Sequence, residues 1–307
     1  MSQESWPAVA AVIPTHNRPE LVRRAIDAVC GQDYPGEIHV VVVFDRSEPD
    51  RSLERRSAGR RVEVIGNTRN PGLCGARNSG ILATDAEFVA FCDDDDEWLP
   101  GKLRAQVAAL AARPEAEFAA TSIVVDYDGR SSVRLAGRDE VTHADLLRSR
   151  MAMLHSSTFL AKRAALTCDI GLLDEDIPGG MREDWEILLR ASRRHPIVHV
   201  DRPLVRVLWG STSYFDDRWH MKIAAHEWML RRHPDIAASP IGVGRVYGQM
   251  AFYHAALRRR RDAVRWAAKA LRANPREPRA ALAVAVAARV LSAQAVLRQL
   301  HKRGHGI

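Results

Sequence analysis

The chain has 307 residues, 46% of them in the hydrophobic set, which suits one substantial globular unit with or without a smaller appendage. No uninterrupted run of about 18 apolar residues occurs, which excludes a predicted spanning helix. The formal charge of +7 does not by itself indicate a nucleic-acid partner, and none is expected, because the basic residues are spread out and thickest near the end, as in LRRRRDAVRW.

The opening MSQESWPAVAAVIP lacks a basic n-region, and its apolar stretch is cut by Pro14 and His16, so no secretory signal is read and a cytoplasmic protein is expected. From Ala8 short apolar runs alternate with helical stretches: AVAAVI, a helix through ELVRRAIDAVC, HVVVVF, RVEVI, a helix through CGARNSGILA, and EFVAFC. Buried strands alternating with helices imply a parallel sheet wound by right-handed crossovers. Trp98 to about Glu117 reads as a helix begun by Pro100, FAATSIVVDYDG and VRLAG as a strand and hairpin arm, EDWEILLRASRR as a helix, and IVHV as a further strand.

After about Ser239 the composition turns to Ala and Arg. Tyr253, Ala256, Ala263, Ala267, Ala270 and Asn274-Pro275 fit a single tetratricopeptide-like helical hairpin. Residues 1–238 are therefore expected to form an α/β domain, with a nucleotide-binding half over about 8–125 and an acceptor half over about 126–238, and residues 239–307 an α-helical region. The four cysteines, Cys30, Cys74, Cys92 and Cys168, have no CxxC spacing, and three sit among small or apolar neighbours where buried thiols are common, so reduced core cysteines are expected.

In open parallel sheets, ligands bind at the carboxyl ends of strands, and here those ends are polar. Pro14-Thr15-His16-Asn17-Arg18 follows the first strand, Asp45 the second, Gly66-Asn67-Thr68-Arg69-Asn70 the third, and Asp93-Asp94-Asp95-Asp96 the run EFVAFC. Four consecutive carboxylates repel one another unless a cation or strong donors offset them. Two arrangements meet that need: a hard divalent ion, Mg²⁺ or Mn²⁺, bridging to a diphosphate, or the acidic first turn of a helix, since Trp98-Leu99-Pro100 follows. No GxGxxG or GxxxxGK[ST] loop stands at a strand-to-helix turn, which disfavours dehydrogenases and P-loop enzymes.

VIPTHNRPELVRRAIDAV, NPGLCGARNSGI, FCDDDDEWLPGKL and GGMREDWEILLR occur in the order found in the inverting family-two glycosyltransferases, and over roughly residues 8 to 215 the chain resembles that family. The resemblance implies a GT-A fold, Rossmann-like with a mostly parallel sheet flanked by helices, and a nucleotide-diphosphate sugar as donor, UDP-sugar first among them. By the same resemblance Asp93-Asp94-Asp95 corresponds to the DxD element, with Asp95 in contact with a divalent metal and Asp93 on the donor. Thr15 and Asp45 would face the nucleobase, and Arg77 the base or phosphates. Where the family often shows paired Asp after the second strand, this chain has Asp45-Arg46.

Attack of an acceptor hydroxyl on an anomeric carbon requires a base, and single displacement inverts the centre. Glu183-Asp184 matches the family's acidic pair, which makes Asp184 the expected base. Glu183 would raise its proton affinity by like-charge repulsion while the helix N-terminus pulls the other way. Trp185, beside the base, is read as core rather than acceptor-pocket lining; Trp209 and His220 are candidates for donor or acceptor contacts, which the family often places after the base helix, and His16 has no assigned chemical task. The acceptor would be a sugar, lipid-linked or small-molecule hydroxyl, and the basic tail would allow peripheral membrane contact. A nucleotidyltransferase is disfavoured by the lack of glycines in PTHNRPE; a noncatalytic sugar-nucleotide binder or scaffold is the alternative from another class.

Overall fold

In the computed structural model, which describes residues 6–208, 218–301 and 306–307, the apolar runs form buried strands. The first half runs β1 (Val9–Thr15), α1 (Pro19–Cys30), β2 (Ile38–Phe44), β3 (Arg55–Ser57), β4 (Arg60–Gly66), α2 (Leu73–Leu82) and β5 (Phe88–Phe91). There follow β6 (Glu97–Trp98), α3 (Lys102–Ala111), β7 (Phe118–Tyr127), β8 (Arg130–Arg134), β9 (Glu140–Val141), α4 (His143–Arg148), β10 (Leu160–Lys162), α5 (Glu183–Arg194) and β11 (Ile197–Leu208). Helices α6 (Trp219–Arg232), α7 (Pro240–Ala256), α8 (Arg260–Ala273), α9 (Pro278–Ala287) and α10 (Ala293–His301) complete the described chain.

β4, β2, β1 and β5 lie side by side and parallel, as the alternation of apolar runs and helices requires. Side chains alternate between the two faces of each strand. Val9, Ala11 and Ile13 join the core formed with Val22, Ile26 and Val29 of α1 and Leu103 of α3. Ala10 and Val12 join the opposite core with Ala76 and Ile81 of α2. α1 begins with Pro19 in its first turn and buries Val22, Ala25, Ile26 and Val29, one stripe at helical spacing.

Beyond β5 the sheet is mixed. β10 is antiparallel to both β5 and β7, β11 is parallel to β7, and β6 is antiparallel to β11. The resulting architecture is α/β and GT-A-like, with helices on both faces and a helical C-terminal region. The hairpin arm read in VRLAG is β8, paired with β7.

One expected element differs. Trp98 pairs with Val205 of β11 instead of opening a helix, its indole donates to the Ser157 carbonyl at 3.0 Å, and the helix starts only at Lys102 after left-handed Gly101 (φ 82°). Ladder pairing and the buried indole outweigh the helix-start signal of Pro100. The consequence is local but decisive for the acidic run: Asp93–Asp96 do not sit in the first turn of a helix, so the helix dipole does not account for them.

Helix α2 approaches the sheet closely enough to need its glycines. A Cβ on Gly80 would lie 2.3 Å from Val12 Cγ1, and one on Gly75 would lie 1.9 Å from the Asn70 carbonyl oxygen. The motif NPGLCGARNSGI therefore presses its helix against β1 and fixes where the Arg77 side chain enters the interior.

The helices after residue 239 share one continuous core with the α2 side of the sheet, through Met250, Phe252, Ala263, Ala267 and Ala283. The hairpin read from the alanine spacing is part of this larger array. The outward face of α8 carries Arg261, Val264, Arg265, Leu271 and Arg272. Among the described residues no helix is long and apolar enough to cross a membrane. Cys74 and Cys92 are buried, Cys30 is partly buried, Cys168 is exposed, and all four cysteines are free.

Candidate active site

The polar strand ends form one connected network. Asp45 follows β2, and its N–H donates to the Thr15 carbonyl at 2.9 Å. Its carboxylate accepts from Asn67 Nδ2 (2.8 Å), the Gly72 N–H (3.0 Å) and Arg46 Nε (2.8 Å). Burial pushes the Asp45 carboxyl up, but these three donors outweigh it and hold it below the usual carboxylate range. Asp45 thus organises the loop after β4 at the sheet edge. His16 Nδ1 donates to the Asp45 carbonyl at 2.6 Å, a contact that ties the loops after β1 and β2 together.

Thr15 Oγ1 donates to Asp94 Oδ2 at 2.8 Å. Arg18, a residue without a role in the sequence reading, reaches back from the start of α1 to Asp94 Oδ1 (2.9 Å) and Asp95 Oδ2 (2.8 Å). The four carboxylates are consequently not equivalent. Asp94 and Asp96 are buried, whereas the side chains of Asp95 and Asp93 keep 38% and 20% of their exposure. Partial burial, and then the charges of Asp96, Asp93 and Asp94, push Asp95 up to about 7 despite Arg18.

Asp96 accepts from Ser157 Oγ at 2.5 Å and lies 3.2 Å from His155 Nδ1. Burial lowers the His155 pKa, but Asp96 and Asp93 overcome it and raise the imidazole to about 9, so it stands as a cation among the carboxylates at neutral pH. Ligand atoms of Asp93, Asp96 and His155 lie within 4.8 Å of one another. To ligate a metal together, this trio would have to deprotonate His155. Asp95, with its partly open carboxylate, is the freer oxygen donor.

Arg77 is fully buried. Its Nη1 donates to Glu183 Oε1 at 2.9 Å, and its Nη2 donates to Asp93 and to Ser156 Oγ, the latter at 2.8 Å. The guanidinium therefore clamps together two acidic segments 90 positions apart in sequence, the run after β5 and the start of α5. Expected from the resemblance to meet the donor's base or phosphates, it is enclosed between carboxylates, where Nη2 orients Asp93 and Nη1 holds Glu183. Burial acts against its charge, and Asp93 and Glu183 more than restore it.

At the start of α5, Asp184 is buried, is paired with Arg150, and accepts from the Trp185 N–H at 2.7 Å. Burial pushes its carboxyl up, but Arg150 and the neighbouring His155 outweigh this and hold it below the usual range. The upward shift of the acidic pair falls on Glu183, through burial and then the charge of Asp184, rather than on Asp184. Trp185 is buried with Nε1 donating to the Leu146 carbonyl at 3.0 Å, as its reading as core requires. His220 is exposed at the start of α6 and lies 3.4 Å from Arg259 Nη2, outside this network, and Trp209 falls outside the described residues.

Thr15, Asp45, Arg77, Asp93, Asp94, Asp95 and Asp184 are thus brought to one edge of the sheet. Arg18, Arg150, His155, Ser156 and Ser157 join them unannounced. Asn17, Arg46, Met151 and Arg182, all non-glycine residues with positive φ (54°, 52°, 49° and 74°), flank the same edge. Such backbone costs roughly 1–3 kcal/mol per residue and persists where the surroundings over-determine it, typically at functional sites.

Asp93 to Asp96 with Glu183 and Asp184 make six carboxylates, offset by Arg18, Arg77, Arg150 and His155 and by the charge of Arg182 near Asp184. Asp95 and Asp93 carry hard oxygen donors of the kind a divalent ion takes.

The chain is similar in sequence and in fold to proteins of known description. The UDP-Glc:alpha-D-GlcNAc-diphosphoundecaprenol beta-1,3-glucosyltransferase WfgD of Escherichia coli is 28% identical over 102 residues, 33% of this chain and 40% of that protein. The chain thus spans well under two thirds of that relative's length. The structure of S. aureus TarS residues 1–349 in complex with UDP-GlcNAc superposes with a TM-score of 0.60 at 17% identity, covering 87% of this chain and 81% of that one. The mannosyltransferase PcManGT from Pyrobaculum calidifontis, in complex with GDP-Man and Mn²⁺, gives a TM-score of 0.52 at 20% identity over 96% of this chain and 80% of that one; at such identities these likenesses speak for the fold. The model of glycosyl transferase family 2 matches residues 10–168, which is 159 of 307 positions and spans the strand ends and the acidic run, and the chain belongs to that family.

Proposed function

We propose that the protein transfers a sugar from a nucleoside-diphosphate donor to an acceptor hydroxyl with inversion, using Asp184 as general base. The observation that carries this reading is the clamp of Arg77 between Asp93 and Glu183, which sets the acidic strand end beside the start of α5 on a fixed support. Two acidic segments serving only as separate helix caps would not need it.

Asp93 and Asp95 hold the donor's diphosphate end, with Asp95 the principal ligand of a divalent ion, Mn²⁺ or Mg²⁺. When bound, that ion neutralises charge on the departing nucleoside diphosphate. Thr15 and Asp45 lie at the neighbouring strand ends, where the nucleoside would extend, with uridine the first candidate base. Arg77 is a positioning residue: it fixes the Asp93 carboxylate and keeps Glu183 paired beside the base.

Asp184 Oδ2 takes the proton from the acceptor hydroxyl as its oxygen forms a bond to the anomeric carbon, while the bond from that carbon to the diphosphate oxygen breaks on the opposite face. Because Arg150, His155 and the Trp185 N–H keep Asp184 ionised, it is in the state a base needs at neutral pH. Proton NMR of the sugar released in the first minutes of donor turnover tests the stereochemistry. An α-linked donor is expected to yield β-configured product before mutarotation; an α product would exclude the single displacement.

A further inference from the structure

Beside Asp184, where α4, α5 and α7 meet, four guanidinium groups line one narrow cleft: Arg148 at the end of α4, Arg150 just beyond it, Arg182 immediately before α5, and Arg245 on α7, with Trp185 and Gln249 in the wall. Arg150 alone has a carboxylate partner within ion-pair distance among the described residues, and that partner is Asp184. Arg182 donates to the Tyr253 hydroxyl at 3.1 Å, and Arg245 to Ser149 Oγ. The nearby acids are engaged elsewhere: Glu183 with Arg77 at 2.9 Å and Glu277 with Arg279 at 2.7 Å.

The buried Nε groups of Arg150 and Arg245 have no hydrogen-bond partner. Burial holds Arg182 and Arg245 below the usual arginine value, and neighbouring guanidinium groups push the same way. Converging like charges with unfilled donors are costly without a counter-charge. The surrounding sequence supplies little: from residue 239 on there are 14 Lys and Arg against 2 Asp and Glu, a local +12, so that with a total of +7 residues 1–238 sum to −5.

We propose that this cleft binds a phosphate group carried by the acceptor, an assignment that rests on the reading of Asp184 as the base of a glycosyl transfer. Guanidinium forks match phosphate oxygens in paired hydrogen bonds, and the Arg148 and Arg150 side chains stand at the rim, Arg148 exposed and Arg150 36% exposed, open to an incoming ligand. Since Arg150 serves both the cleft and Asp184, a phosphate in the cleft competes for it and leaves Asp184 freer to accept the hydroxyl proton. Acceptor binding and base activation are thereby linked.

Calorimetric titration of the full chain with inorganic diphosphate, in chelator so that the donor's metal is absent, tests the site. Wild type is expected to bind. Arg148→Gln/Arg245→Gln should weaken binding about tenfold or more, the loss of at least one charge-assisted hydrogen bond. Arg148→Gln alone, on an exposed side chain that leaves the fold intact, should weaken it less but measurably, and Asp95→Ala should leave it unchanged. No binding by wild type, or wild-type affinity in both arginine variants, overturns the proposal. Competition of diphosphate by polyprenyl phosphate in micelles identifies a lipid source, and competition by glycerol phosphate a soluble one. Nucleotide-sugar binding, followed separately with Mn²⁺, distinguishes the two readings: if donors bind while diphosphate ignores the arginines, the phosphate site falls and the transfer reading stands; if no donor binds, the transfer reading and the acceptor assignment fall together.

Discussion

Asp184→Asn is expected to lower transfer by about 10²–10⁴-fold, the range that removal of a positioned general base spans, while leaving nucleotide-sugar affinity unchanged. The amide is nearly isosteric, but Arg150 donates to Oδ2 and the Trp185 N–H to Oδ1, so its single oxygen keeps one of these two contacts and its NH2 group faces the other donor. What is lost is the ability to take a proton. Steady-state kinetics with calorimetric donor binding on the same preparations checks this: turnover equal to wild type would remove Asp184 as the base, and loss of donor binding would make it a binding residue.

The second large effect is expected at Arg77, and it is one of stability as much as chemistry. Arg77→Met keeps the volume of the side chain but strands Asp93 and Glu183, both facing a fully buried site, without their cation. Breaking a buried ion pair by removing one partner costs roughly 3–5 kcal/mol. Chemical denaturation should show a lowered midpoint of that size, and donor affinity should fall with it because the Asp93 carboxylate loses its orientation. A variant with the wild-type midpoint would mean that the clamp contributes nothing and that Asp93 is held by Ser156 alone.

The parallel half of the sheet was legible because its strands are buried on both faces and read as unbroken apolar runs, with the polar residues that follow each run marking the ligand edge. Thr15, Asp45, Asp93, Asp94, Asp95 and Asp184 could be placed on that edge from strand ends and motif order. The helix boundary near Trp98 could not, since pairing with β11 depends on a strand more than 100 positions further on. The partners of the acidic groups were equally hidden. Arg18, Arg150 and His155 reach carboxylates 76, 34 and 59 positions away, separations set by topology and carrying no local pattern.

Arg77 shows the same limit in its role. The glycines around it signalled a tight helix, but only the packing of α2 against Val12 and Asn70 reveals that its guanidinium enters the interior and joins two acids. The division of labour within Glu183-Asp184 likewise follows from which member faces Arg77 and which faces Arg150. Composition cannot distinguish them.

We propose that Asp95, the most open member of the acidic run, makes the donor site metal-dependent. Calorimetric titration of UDP-, GDP- and dTDP-sugars into wild type and Asp95→Ala, with Mn²⁺ and with chelator, checks this role. One donor class is expected to bind wild type, chelator to weaken it at least about tenfold, the loss of roughly 1.4 kcal/mol or more, and Asp95→Ala to reproduce the chelated affinity while gaining nothing from Mn²⁺. Binding that ignores both the metal and Asp95, or no binding of any donor, would contradict it.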